Sequence, residues 1–357
     1  MLDINQVRAC FPFLQRGVYL NTAAAGLSWV GQGKAAAQFY DVGKARGMGG
    51  ALEWAAKVTA AKWELANLTA VPAHNIHFVG STTEALNLVA QSLPLERGDR
   101  VVVAQDEFPS VIHSWLSWRD KGIELLHPEI TYEAERTEAL CAAVRAGVRA
   151  LAVSHVHWRT GTRVDLNQLS ARCREYDCRL IVDGVQAVGA IPVDAGIADA
   201  YCASAFKWLL SGFGLGFVTI SERLADELHP VLRGYNNEPP SRSVRYGHIN
   251  YPGIYALQAS LEFMRTLGWN DIHAQVEHLA LRSIASLRSR GFEVITPDRA
   301  HAGIVSIRHP CASSLVQALA EQSIFVEDRG PVVRASPHFY NTEEDVDRFV
   351  KALARSA

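Results

Sequence analysis

From about residue 50 to residue 220, short apolar runs alternate with stretches of helical periodicity, and few architectures accept that alternation. The runs are Ile76-His77-Phe78-Val79, Arg100-Val101-Val102-Val103-Ala104, Gly122-Ile123-Glu124-Leu125-Leu126, Ala150-Leu151-Ala152-Val153-Ser154, Leu180-Ile181-Val182 and Gly216-Phe217-Val218-Thr219-Ile220. Helical patterns fall between them at 82–92, 110–119 and 165–176. Strands that are apolar throughout are buried on both faces. The pattern therefore predicts an α/β fold: a mostly parallel sheet covered by helices on each side. In such sheets ligands bind beyond the carboxyl ends of the strands.

The texture changes near 236–253, where Asn236-Asn237-Glu238-Pro239-Pro240-Ser241 reads as a loop. A helix over 253–267 then leads into runs at 292–295, 303–307, 324–326 and 332–334. Asn341-Thr342-Glu343 caps a last amphipathic helix. At 357 residues the chain suits two domains, a large α/β unit over 15–240 and a smaller α+β unit over 241–357 with 1–14. A net charge of −2 and the lack of a long basic run argue against nucleic-acid and membrane-surface roles. No run of 18 apolar residues exists, and MLDINQVRACFPFL is not a secretory signal. Six cysteines without framework spacing fit a reduced, cytoplasmic protein. Neither Cys173/Cys178 nor His155/His157 has metal-knuckle spacing, so no metal site is expected.

Chemistry enters at Lys207, 24 residues after Asp183. Asp183 ends a β-branched run, which delivers a carboxylate at a strand's carboxyl end. Lys207 stands between Phe206 and Trp208, where desolvation lowers an ammonium's pKa, as imine formation requires. A carboxylate for the ring nitrogen and an amine for the aldehyde are the two protein groups pyridoxal 5'-phosphate (PLP) needs most. Strand-end aspartates also start turns and lysines snorkel, so the pair needs support from other residues.

Gly80-Ser81-Thr82-Thr83-Glu84 follows a strand and opens a helix, which makes either an anion cradle or an ordinary Ser/Thr cap. Phe108, just past a strand, is a stacking face or a core residue. Gln186 and Ser204 have the right chemistry to reach a ring hydroxyl and a phosphate, respectively. Arg334 ends an apolar strand and suits a bidentate grip on a carboxylate, with an ion pair to Glu327 or Asp328 as the alternative. Arg329 is a second candidate nearby. Gly212, Gly214 and Gly216 precede a strand, whereas a dinucleotide fingerprint follows one, so they read as a tight turn.

In this order the pieces resemble the class V aminotransferase family of fold type I PLP enzymes, which includes cysteine desulfurases, kynureninase and isopenicillin N epimerase-like proteins. The resemblance runs from Tyr19-Leu20-Asn21-Thr22-Ala23-Ala24-Ala25-Gly26 to Arg334-Ala335-Ser336-Pro337-His338. It implies a mostly parallel seven-stranded sheet sandwiched by helices, with a smaller C-terminal domain. It implies Lys207 as the Schiff-base lysine, Asp183 on the pyridine nitrogen and Gln186 near the ring hydroxyl. Ser81, Thr82, Thr83 and Ser204 fall at the phosphate, Phe108 stacks on the ring, and Ala24, Trp158 and Arg334 face the substrate. His248 and Asn250 match the segment that reaches a partner subunit's phosphate in homodimers. Two departures bear on chemistry. The stretch Glu327–Arg334 is short and lacks the nucleophilic cysteine of desulfurases, and Trp158 replaces their substrate-contacting asparagine. The resemblance implies a small-molecule amino-acid or amine substrate, activated through an external aldimine and a quinonoid. An aminotransferase is the first expectation. A cysteine-independent β-lyase, an epimerase and a non-catalytic PLP-fold binding module are the alternatives.

Overall fold

The computed structural model describes residues 2–238 and 243–356. The boundary expected at 240/241 lies outside the described residues, as do Pro239, Pro240 and Ser241 of the expected loop. Strand β1 (Val18–Tyr19) stands apart from the main sheet. That sheet holds β2 (Ile76–Val79), β3 (Arg100–Val102), β4 (Glu124–Leu126), β5 (Val148–Ser154), β6 (Arg179–Asp183), β7 (Ala200–Ser204) and β8 (Gly216–Ile220). Their order is β2-β8-β7-β6-β5-β3-β4, with only β8 running against its neighbours. It is the seven-stranded, mostly parallel sheet that the resemblance implied.

Both faces of the sheet are buried. Leu180 and Val182 enter one apolar core, while Ile181 between them enters the other. The helix Thr82–Ser92 starts on a variant of the capping box, its glutamate reaching one residue before the cap: Ser81 Oγ accepts the Glu84 amide at 3.1 Å, and Glu84 Oε2 accepts the Gly80 amide at 2.6 Å. The single helix expected at 110–119 is two, Pro109–His113 and Leu116–Arg119. At the break, Ser114 Oγ donates to the Val111 carbonyl, and Trp115 is drawn fully into the core.

A second, antiparallel sheet of β9 (Glu293–Val294), β10 (Val305–Arg308), β12 (Glu327–Asp328) and β13 (Val332–Ala335) has the order β12-β13-β10-β9 and packs on a third core. Between β10 and β12, β11 (Ile324–Phe325) pairs in parallel with β1, which ties the beginning of the chain to its end. Among the described residues no helix is long and apolar enough to cross a membrane.

Candidate active site

Parallel register brings three strand ends together. Ser154 of β5 lies beside Asp183 of β6, and Asp183 beside Cys202 of β7. Phe108 follows β3, and Lys207 follows β7. These ends open on a cavity of about 210 Å³ lined by Ser81, Thr82, Thr83, Phe108, Ser154, Trp158, Asp183, Gln186, Ser204 and Lys207, among others. Of the thirteen residues proposed from sequence, nine line this one space.

At one end lies the start of the helix Thr82–Ser92. Ser204 Oγ accepts the Thr82 amide at 2.7 Å and bonds the Thr82 hydroxyl at 2.8 Å; Thr83 Oγ1 bonds Ser110 Oγ at 2.8 Å. Hydroxyls and helix-end amides so gathered suit a dianionic phosphate. Ser81 spends its oxygen on the cap, as the capping alternative anticipated.

At the other end, Asp183 is buried, with Oδ1 accepting the Val185 amide at 2.9 Å. Burial pushes its carboxyl up to about 6; the Val185 amide and Lys207 pull down, and Glu107 pushes up. Burial pushes Lys207 down to about 8 against the pull of Asp183, with Arg334 and Arg329 adding to the fall. Phe108 is 37 % exposed and meets Trp158 edge-to-face at 5.7 Å, so it is not a core phenylalanine. Gln186 is held on both sides: Oε1 accepts Trp208 Nε1 at 2.9 Å, and Nε2 donates to the Ala23 carbonyl at 3.0 Å, leaving one N–H.

Four proposed residues stand outside the cavity wall. Ala24 sits in the segment Asn21–Gly26, which leans on the lysine loop through the Gly26 amide and the Phe206 carbonyl. His248 and Asn250 are exposed, and Asn250 caps the helix Tyr251–Leu267 while donating to the Gly214 carbonyl. Arg334 is 1 % exposed. Its Nη1 donates to the Trp158 carbonyl at 2.6 Å, while Nε and Nη2 have no partner. The ion pair offered as its alternative does not form; Glu327 lies opposite it across β12–β13 but receives Asn21 Nδ2 at 2.8 Å instead. Burial, with Arg329 adding, pushes Arg334 down to about 9.

Sequence reasoning passed over Glu107 and Ser154. Ser154 carries the same signal as Asp183, a polar residue at a strand's carboxyl end. Asp106, Glu133 and His157 also converge, within 4.8 Å, but the Arg136 guanidinium sits on both carboxylates and fills the cation's place.

The cavity fits PLP: hydroxyls and helix amides at one end, an acid and an amine at the other, and an aromatic face between. Such a site at the strand ends of this sheet defines a fold type I PLP-dependent enzyme. Residues 18–349 match the model of the class-V aminotransferases, and the chain belongs to that family. It is 31 % identical over 311 residues to isopenicillin N epimerase of Streptomyces clavuligerus, covering 76 % of this chain and 78 % of that one. It is 29 % identical to a cysteine desulfurase of Salmonella typhimurium, covering 99 % and 98 %. Among solved structures, a mutant of the cystine C–S lyase C-DES with glycine covalently linked to its PLP superposes with a TM-score of 0.91 at 21 % identity, covering 98 % and 99 %. The Escherichia coli cysteine desulfurase CsdA gives 0.88 at 25 %, covering 100 % and 98 %. The cofactor is PLP, and the enzyme is a transferase or lyase.

Proposed function

We propose that the chain is an aminotransferase acting on an amino acid or another primary amine, with Lys207 as its catalytic residue. When bound, PLP supplies an electron-withdrawing ring for the bond broken at the substrate Cα. Lys207 Nζ would take the proton from Cα and hand it on to the cofactor carbon rather than back to Cα, and Asp183 would hold a proton on the ring nitrogen. The Thr82, Thr83 and Ser204 hydroxyls bind the phosphate, with Ser81 fixing the helix start that carries them. Phe108 would stack on the ring, and the remaining Gln186 N–H would be free for the ring hydroxyl. Arg334 offers the edge carrying Nε and Nη2 to the substrate carboxylate. Trp158, pinned by Nε1 to the Asp106 carbonyl at 3.0 Å, walls the side-chain space with Ala24. His248 and Asn250, exposed in one subunit, serve a partner's phosphate in a homodimer. Six free cysteines support a cytoplasmic setting.

The observation that carries this reading is the convergence of Lys207 and Asp183 on one cavity whose far end is a hydroxyl-lined helix start. Transamination ranks above persulfide-forming desulfuration because the hairpin Glu327–Ala335 that bears Arg334 has no cysteine. The exposed Cys311 instead precedes the helix Ala312–Glu321. The 31 % identity to an epimerase supports a second reading, in which the proton returns to Cα on the opposite face. A stoichiometric single turnover separates them. A keto acid with pyridoxamine phosphate is expected; ammonia and pyruvate without pyridoxamine phosphate mark a lyase, and loss of optical purity without keto acid marks an epimerase. Lys207→Ala should abolish the visible absorbance of the holoenzyme.

A further inference from the structure

Behind the cofactor wall lies a carboxylate that no step above uses. Glu107 is 3 % exposed, in the loop between β3 and Phe108. Its Oε1 accepts the Ser154 amide at 3.0 Å, and its Oε2 bonds the Ser154 hydroxyl and accepts the Phe108 amide at 3.4 Å. Ser154 and Phe108 both line the cavity, and Ser154 is the register neighbour of Asp183. One acid thus clamps two pieces of the wall, on the strand beside the ring-nitrogen acid. Among the described residues no cation pairs with it. A buried carboxylate satisfied only by neutral donors keeps its full field in a low-dielectric site.

The other titratable groups around Asp183 do not supply such a field. His155 of the β5 end bonds the Tyr201 hydroxyl at 2.8 Å, and burial pushes it down to about 3, so it is neutral. Tyr201 and Cys202 of β7 are both pushed well up by burial and stay protonated. Lys207 is the cation that pulls on Asp183. Glu107, held to the neighbouring strand end at Ser154, is the anion that pushes on Asp183.

We infer that Glu107 is a positioning residue: it fixes Ser154 and Phe108 in the cofactor wall and supplies a second negative charge, behind Asp183, that keeps the ring nitrogen protonated. The inference rests on the assignment of Asp183 to that nitrogen. The test uses the holoenzyme loaded with PLP carrying nitrogen-15 in the ring, read by NMR across pH, with cofactor affinity as a second measurement. The wild type should show a protonated nitrogen at neutral pH. Glu107→Gln should lower its proton affinity on the order of tenfold, the weight of one charge roughly 10 Å away at an effective dielectric of about 20. Ser154→Ala, which keeps the charge, should leave the nitrogen protonated. A Glu107→Gln resonance that titrates with the wild type overturns the inference. Should that variant fail to fold, Glu107→Asp serves in its place: the nitrogen should stay protonated while PLP binds less tightly, and loss of the proton there overturns it too. Asp183→Asn is the control. If it also leaves the resonance unmoved, the Asp183 assignment has failed, a result distinct from failure of the Glu107 role alone.

Discussion

Arg334 makes the ligand-free protein less stable than it need be, and Arg334→Met exposes the trade. The guanidinium is 1 % exposed, keeps one hydrogen bond to the Trp158 carbonyl and leaves Nε and Nη2 unpaired. A fall from 12.5 to about 9 means that the buried charge costs roughly 5 kcal/mol, at about 1.4 kcal/mol per unit. Methionine removes that cost but forfeits a charge-assisted hydrogen bond of about 1.5–3 kcal/mol. The net gain is at least about 2 kcal/mol, within the range seen when buried ionic groups give way to apolar ones. In a chain of this length that raises Tm by about 3 °C, readable by differential scanning fluorimetry at neutral pH. Adding an unreactive carboxylate at 100 times its Kd should stabilise the wild type by about 2.7 kcal/mol and leave the variant unmoved. An Arg334→Met protein that melts below the ligand-free wild type, or one that carboxylates still stabilise, refutes the reasoning.

Capture of PLP by the apoenzyme needs the neutral amine of Lys207, whose folded pKa is depressed to about 8. Its rate should therefore climb with pH and level off above about 8, measured by stopped-flow absorbance. Asp183 holds that pKa up, so Asp183→Asn should move the midpoint lower. The same depression has a stability signature: the unfolded chain binds more protons between about 8 and 10.5, so apoenzyme stability attributable to Lys207 rises across that window. Gly184→Ala should cost several kcal/mol or prevent folding, because its Cβ would fall inside the Tyr201 ring. A melting curve like the wild type's would show that the strand end yields.

The lysine and the acid are legible in the sequence because each breaks an apolar run, and a charge in such a run must be excused by chemistry. The same holds for Arg334, whose isolation only the fold reveals. Strand β7 escapes the pattern: Ala200-Tyr201-Cys202-Ala203-Ser204 lacks the β-branched signature, since small residues suit the crowded middle of the sheet. Glu107 is invisible because an acid in a loop ordinarily faces water; only the fold shows that it turns inward to Ser154. Gln186 is found from its spacing, but its double tether is not, because Trp208 and the Ala23 carbonyl are brought to it by tertiary packing.

The pairing of β1 with β11 imposes an order of events on synthesis. The amides of Val18, Leu20 and Thr22 bond to carbonyls of Ser323, Phe325 and Ser336. A ribosome has therefore to deliver the three hundred or so residues up to Ile324 and Phe325 before Val18 and Tyr19 find a mate. Until then the nascent Leu20, fully enclosed in the finished molecule, stays wet. Translation thus completes the scaffold before it can shut the chamber.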